Sequence, residues 1–277
     1  MDHGAQHHAG TNGSSSSAEM PGLSIERSGY QIRDLAAPAV VGEDGTLSFR
    51  LTGPGGVALT EYDTAHDKDL HLIVVRSDGA EFRHVHPNND GDGRWSMPWR
   101  WNVAGSYRVF ADAVPTGLGS NVTLTSTTSV AGHLAPRALP PESAVATVGD
   151  FTVTLDGSLG VGATSTLKFT VTRAGRPVQT LEPYLGAYGH LVALRTGDLG
   201  YLHVHPMGEP GDGITQPGPD IEFMAAAPTD GTYLLYLDFK VDGQVRTAEF
   251  TVTAAAAAAA GNTTAGSPEH EHSGTGH

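Results

Sequence analysis

One stretch of this chain occurs twice. His71-Leu72-Ile73-Val74-Val75-Arg76, followed by His84-Val85-His86-Pro87, returns as His190-Leu191-Val192-Ala193-Leu194-Arg195, followed by His203-Val204-His205-Pro206. The offset is 119 residues throughout, without a gap, and seven of 17 aligned positions are identical. That period is too long for a solenoid unit and has the size of a whole small domain. A chain of 277 residues is therefore read as two tandem domains, at 25–131 and 145–253. A Pro-rich linker at 132–144 joins them. Tails at 1–24 and 254–277, rich in His, Gly, Ser and Ala, read as disordered.

Within each copy, apolar and polar residues alternate over short segments. Thr46-Leu47-Ser48-Phe49-Arg50-Leu51, Ser106-Tyr107-Arg108-Val109-Phe110 and Thr166-Leu167-Lys168-Phe169-Thr170-Val171 are examples. Turn residues separate such segments at intervals of about 8–12, and no segment shows a helical period, which predicts an all-β chain of two β-sandwich domains.

Thirty acidic residues against 16 basic ones leave a net charge of −14. Nucleic-acid binding and attachment to anionic membranes need clustered Lys and Arg, so both are excluded as expectations, whereas cations are attracted. The absence of cysteine removes disulfides, thiolate metal sites, iron–sulfur clusters and thiol nucleophiles. No apolar run approaches the 18 or so residues of a membrane helix, so no direct membrane insertion is expected. The first 20 residues lack the basic and apolar regions of a leader.

The 14 histidines sort by position. His3, His7, His8, His270, His272 and His277 lie in the tails, six form the repeated triplets, and only His66 and His133 remain. In the first copy Asp78-Gly79 signals a tight hairpin turn. A turn centred there sets His71 directly across from His86, with His84 projecting from the same face. A turn centred between Gly197 and Asp198 sets His190 across from His205, with His203 beside it. Each copy thus gathers three imidazoles on one side of a hairpin. Such a set suits Cu(II), Zn(II) or Ni(II) and leaves a coordination position open. Asp69 and Tyr188 are candidate fourth ligands, and Met97, Met207 and Met224 are candidate soft ligands for Cu(I). Arg76 is expected to pair with Glu81 at the surface. The alternative is a hydrogen-bonded histidine network inherited by duplication, with no metal.

The tails carry weaker signals. Met1-Asp2-His3 can wrap a square-planar Cu(II) or Ni(II) if the amine is free, and Glu269-His270-Glu271-His272 is a loose cation-capturing tract. Asn88-x-Asp90-x-Asp92-Gly93 begins like a calcium loop, but its twelfth position is Trp99 where a Glu is needed, so it reads as a turn.

HDKDLHLIVVRSDGAEFRHVHP (66–87) and LEPYLGAYGHLVALRTGDLGYLHVHP (181–206) resemble secreted proteins of high-GC Gram-positive bacteria that occur with copper-handling genes. Those proteins look like tandem immunoglobulin-like sandwiches and are distantly similar to the copper-binding CopC-like and YtkA-like domains, of cupredoxin type. The resemblance implies an immunoglobulin-like fold, a cell-envelope location and copper. By position it assigns His71, His84, His86, His190, His203 and His205 as ligands. The sequence reading is therefore an extracytoplasmic binding module that sequesters or delivers copper, with zinc as the second choice of ion, one His₃ site per domain, and a copper transporter or chaperone at the membrane as partner. The alternatives are a copper/zinc oxidoreductase of superoxide-dismutase type and a metal-free envelope or adhesion protein.

Overall fold

The computed structural model describes Met20 and residues 22–202 and 204–255. The tail histidines and the Met1-Asp2-His3 motif lie outside the described residues, as does His203. Strands of the first copy are β1 (Glu26–Arg27), β2 (Tyr30–Ala36), β3 (Gly45–Thr52), β4 (Tyr62–Asp63), β5 (His71–Arg76), β6 (Arg83–Val85), β7 (Asn88–Asn89), β8 (Arg94–Trp99), β9 (Gly105–Pro115) and β10 (Val122–Val130). The second copy supplies β11 (Val145–Val148), β12 (Phe151–Asp156), β13 (Ser165–Arg173), β14 (Arg176–Pro177), β15 (Gly189–Arg195), β16 (Tyr201–Leu202), β17 (His205–Pro206), β18 (Asp220–Ala225), β19 (Gly231–Val241) and β20 (Gln244–Ala254).

Each copy is a sandwich of two antiparallel sheets. The first pairs β1-β2-β3-β8-β7 with β10-β9-β5-β6; the second pairs β11-β12-β13-β18-β17 with β16-β15-β19-β20. The tandem immunoglobulin-like expectation therefore holds. Alternation along the strands builds the cores. Leu47, Phe49 and Leu51 point into the first, and Leu167, Phe169 and Val171 into the second.

Alternation also explains why β5 is buried along its whole length. Leu72 and Val74 enter the core of the first sandwich, while Ile73 and Val75 join a separate apolar cluster. That cluster contains Phe110 from the first copy and Val192, Leu194, Leu199, Tyr201, Leu234 and Tyr236 from the second. The two hairpin sheets thus pack face to face, and the outer face of one hairpin is covered by the other domain. The contacts are reciprocal. Phe82 stacks on Tyr236 at 3.9 Å, and its repeat counterpart Tyr201 lies 5.7 Å from Phe110, which corresponds to Tyr236. Reciprocity of this kind is the mark of a two-fold, isologous contact.

Polar links pin the interface. Tyr236 Oη donates to the Gly79 carbonyl at 2.6 Å, and Arg108 Nη1 donates to the Asp198 carbonyl at 2.6 Å. In the linker, the Arg137 backbone N–H donates to Asp78 Oδ2 at 2.7 Å and its guanidinium to Glu249 Oε2 at 2.8 Å. The segment read as a tail also ends here. A Cβ on Gly22 would meet Phe110 and Tyr201 at 2.8 Å.

The first hairpin closes differently from the expected two-residue turn. Gly79 N–H donates to Arg76 O at 2.8 Å with Gly79 at φ 79°, and Glu81 follows at φ 56°. This left-handed kink restores the expected register, with Leu72 opposite Val85 and Ile73 opposite His84. The expected ion pair with Glu81 is not the one formed: Arg76 pairs with Asp78. Both contacts are 2.8 Å, and the guanidinium is buried. Arg195 repeats the arrangement with Asp198. Gly79 is required twice over. Besides its positive φ, a Cβ there would fall 2.1 Å from Leu234 Cδ1 of the other domain. Gly79→Ala is expected to destabilise the chain by about 1–3 kcal/mol in denaturant titration.

Candidate metal centre

His71 begins β5 on the face of Ile73 and Val75, so the first histidine triplet faces the second domain. Within it, His71 Nδ1 lies 3.0 Å from His84 Nε2 and 3.1 Å from His86 Nε2. The three ligand atoms fall within 4.8 Å of one another, forming the single metal-compatible cluster among the described residues.

The remaining nitrogens of His71 and His84 are held from behind. His71 Nε2–H donates to the Ala65 carbonyl at 3.0 Å, and His84 Nδ1–H donates to Asp238 Oδ2 at 2.9 Å. A carbonyl and a carboxylate only accept, so these contacts fix the tautomers. His71 Nδ1 and His84 Nε2 are consequently both lone pairs in the neutral rings, and they face each other. Two lone pairs cannot bond each other; a cation or an added proton between them is needed. Orientation of one ring nitrogen by a carbonyl or carboxylate, with the other turned to a common point, is how proteins hold metal-ligating histidines.

Asp238 belongs to the second domain, and the sequence reading missed it. It sits on β19 opposite His190, is 3% exposed, and accepts from Thr247 Oγ1 at 2.5 Å. The first domain repeats this unit. Asp112 lies opposite His71 on β9 and accepts from Thr123 Oγ1 at 2.6 Å. A buried Asp between Leu237 and Phe239, in an otherwise apolar strand, is the signal that would have found it.

The second triplet is placed differently. His190 donates from Nε2 to the Leu185 carbonyl at 2.9 Å, and its ring lies 6.2 Å from that of His71 and 6.1 Å from His84. His205 is exposed and pairs across strands with Met224, because the chain crosses to the opposite sheet there. In the first copy that crossing comes later, with β7 at Asn88. Two further side chains stand close by. The His66 ring is 5.1 Å from His190, and Tyr184 is 6.0 Å from His190 and 6.4 Å from His86. The suggested further ligands do not join this cluster. Asp69 accepts from Thr64, Tyr188 and Met97 pack against the cores, and Met207 and Met224 are exposed.

Burial sets the charge of these rings. It lowers His71 to about 4 and His190 to about 3, with His84 as the next cause in each case, and it holds His86 lower still. An unfolded imidazole titrates near about 6.5, so below that pH the unfolded chain binds protons that the folded, metal-free chain does not. Stability is therefore complete above about pH 6.5 and falls as pH drops toward about 4, by up to about 1.4 kcal/mol per pH unit for each buried ring. The urea midpoint of the metal-free chain is expected to fall between pH 7 and pH 5, and to fall less in His190→Gln.

Comparison with known proteins adds the following. The model of a domain of unknown function (DUF8832) matches residues 25–131 and again 146–256. No curated protein matches the chain. Similar solved structures include invasin, a bacterial integrin-binding protein, at 14% identity over 82% of this chain and 39% of that one, with a TM-score of 0.25. Domains 5–6 of the S-layer protein SbsC match at 13% identity over 83% of this chain and 100% of that one, with a TM-score of 0.26. The BSP domain of a biofilm associated protein matches at 13% identity over 82% and 30%, with a TM-score of 0.23. Scores this low carry no argument about function. No helix among the described residues is long and apolar enough to cross a membrane.

Proposed function

This chain belongs to the DUF8832 family and carries its domain twice, and from that premise we propose that it is an extracytoplasmic metal-binding protein whose principal site is the His71, His84 and His86 triad between its two domains. Cu(II) is the favoured ion and Zn(II) the second. The role is sequestration or delivery, with a membrane transporter or chaperone as the receiving partner.

One observation carries the reading. The tautomers of His71 and His84 are fixed from behind, and the nitrogens that remain converge with His86 Nε2 at 3.0–3.1 Å. For metal–nitrogen bonds of about 2.0–2.1 Å, those separations subtend roughly 95° at an ion. That angle is closer to tetragonal than to tetrahedral geometry, which favours Cu(II) over Zn(II). The donor set is imidazole alone, backed by a carboxylate, and the chain's net charge of −14 favours a cation.

A second reading has its own support. A proton on His84 would let it donate to both Asp238 and His71, and the module would then serve the envelope without metal. The other close pair needs no added charge, since neutral His86 can donate from Nε2 to His71 Nδ1. Thermal unfolding with and without Cu(II) separates the readings. At 100 times the dissociation constant a bound ion adds about 2.7 kcal/mol of stability. An unchanged melting temperature with Cu(II), Zn(II) and Ni(II) would overturn the metal reading.

A further inference from the structure

The second sandwich carries a cavity of about 630 Å³ between its β17–β18 connection and the segment that leads into β15. Small-molecule sites occupy roughly 300–1,000 Å³, so the volume suits one. The first sandwich fills the matching place. Trp95 lies opposite Phe49 on β3, is buried, meets Tyr62 edge-on at 5.2 Å and donates from Nε1 to the Tyr62 hydroxyl at 3.0 Å. Phe169 of Thr166-Leu167-Lys168-Phe169 stands where Phe49 of Thr46-Leu47-Ser48-Phe49 does, and its partner across the sheet is Ile221. An indole in one copy is thus a smaller aliphatic side chain in the other, and Ile221 lines the cavity.

The loop beside it is built rather than loose. The β7–β8 connection has four residues (90–93), whereas the β17–β18 connection has thirteen (207–219). One carboxylate organises the longer loop. Asp212 accepts from the N–H groups of Glu209, Ile214 and Thr215 and from Thr215 Oγ1, at 2.6–3.2 Å. Gly208 lets the loop close on itself, since a Cβ there would fall 2.1 Å from Thr215 Oγ1. On this hydrogen-bonded backbone Met207 and Ile214 are nevertheless exposed, and both line the cavity.

The polar side of the lining is rich in acceptors. Thr215 spends its hydroxyl proton on Asp212, and Gln216 Nε2 donates to the Ile214 carbonyl at 3.2 Å. Asp220 and Glu222 share one face of β18 and add two carboxylates. Asp220 Oδ1 accepts from Thr170 Oγ1 at 2.6 Å, and Lys168, across from Glu222 on β13, pairs with Asp156 at 3.5 Å. Among the described residues that line the cavity there is no Lys, Arg or His. An anion therefore meets like charge, whereas a ligand that only donates finds partners.

We propose that this cavity binds a small organic cation, an ammonium group on an apolar body. The carboxylates of Asp220 and Glu222 take the ammonium, and Met207, Tyr188 and Ile221 cover the body. The site is separate from the histidine triad and needs no metal.

The test is saturation-transfer NMR and calorimetry on the full chain with three probes of one shape: 2-phenylethylammonium, 2-phenylethanol and 3-phenylpropionate. The ammonium is expected to bind at millimolar concentration, the alcohol about tenfold more weakly or worse, because hydrogen bonds to charged groups are the stronger ones, and the carboxylate not at all. Ile221→Trp, which copies the residue of the first sandwich, should abolish binding of the ammonium while Cu(II) affinity stays at the parent value. Asp220→Asn with Glu222→Gln changes only side chains on the outer face of β18, so it guards against a folding defect at the buried Ile221. It should remove the preference for the ammonium over the alcohol. Equal binding of all three probes, binding retained in Ile221→Trp, or a preference unchanged in the carboxamide variant would overturn the proposal, as would an ammonium probe that does not bind the parent.

Discussion

Replacing His71 by alanine is expected to lower the affinity of the tight Cu(II) site by at least about a hundredfold, measured by competition with a chelator. Displacing a residue that merely orients a ligand already costs about 10–100-fold. His71 is itself a ligand and is shared by both close pairs, at 3.0 and 3.1 Å. Its loss also removes a buried ring and one of the two donors to the Ala65 carbonyl, which keeps the Lys68 N–H, a separate cost of about 0.5–1.5 kcal/mol in stability. His86→Ala separates the two effects. Its ring is only half-buried, so affinity should fall by a similar factor with little change in melting temperature. Asp238→Asn tests the support from the second domain. The carboxamide keeps the shape but weakens the charged hydrogen bond to His84 Nδ1, and a loss of about 10–100-fold is expected. Parent-like affinity in both His71→Ala and His86→Ala would remove the triad from consideration.

Much of this site was readable in advance because a hairpin is a local object. The Asp78-Gly79 turn and the His-x-His spacing set which rings share a face, and the observed pairing of Ile73 with His84 and of Ala193 with Leu202 follows that register. What faces a hairpin is a long-range fact. Residues 72–75 form an unbroken apolar run, a pattern that in sheets accompanies burial on both sides. The run does not say what provides the second cover. Here it is the other copy, so the first triplet lies against the second domain, whose Asp238 accepts from His84. Asp238 stands 154 residues from His84, and no local spacing points to it. His66 fell outside the triplets because its counterpart is Leu185. His205 sits on a strand that joins the opposite sheet earlier than β7 does, a crossing no local spacing announces, and it lines a cavity with His66 and His71.

Tyr236→Ala is expected to cost about 3–5 kcal/mol, the range for removing a large buried aromatic side chain. Tyr236 is 1% exposed, stacks on Phe82 at 3.9 Å with the rings 5° from parallel, and donates to the Gly79 carbonyl at 2.6 Å. All of these contacts cross between the domains, so the substitution acts on their docking rather than on either core. Tyr236→Phe keeps the stack and loses only the hydroxyl, for an expected cost of about 1–3 kcal/mol, because the carbonyl is left buried. The position also bears on the metal. Asp238 lies two residues along β19 on the same face, so an interface loosened at 236 releases the carboxylate that holds His84. Calorimetry of the parent should then give one unfolding transition, and Tyr236→Ala two, with weakened Cu(II) binding. Phe223→Ala provides the contrast, since Phe223 is fully buried in the core of the second sandwich and does not touch the interface cluster. It should lower stability by a comparable amount while Cu(II) affinity, measured on the folded fraction, stays near that of the parent. If Tyr236→Ala unfolds in a single transition within about 0.5 kcal/mol of the parent, the margin of an ordinary surface substitution, the domains are not coupled through this face.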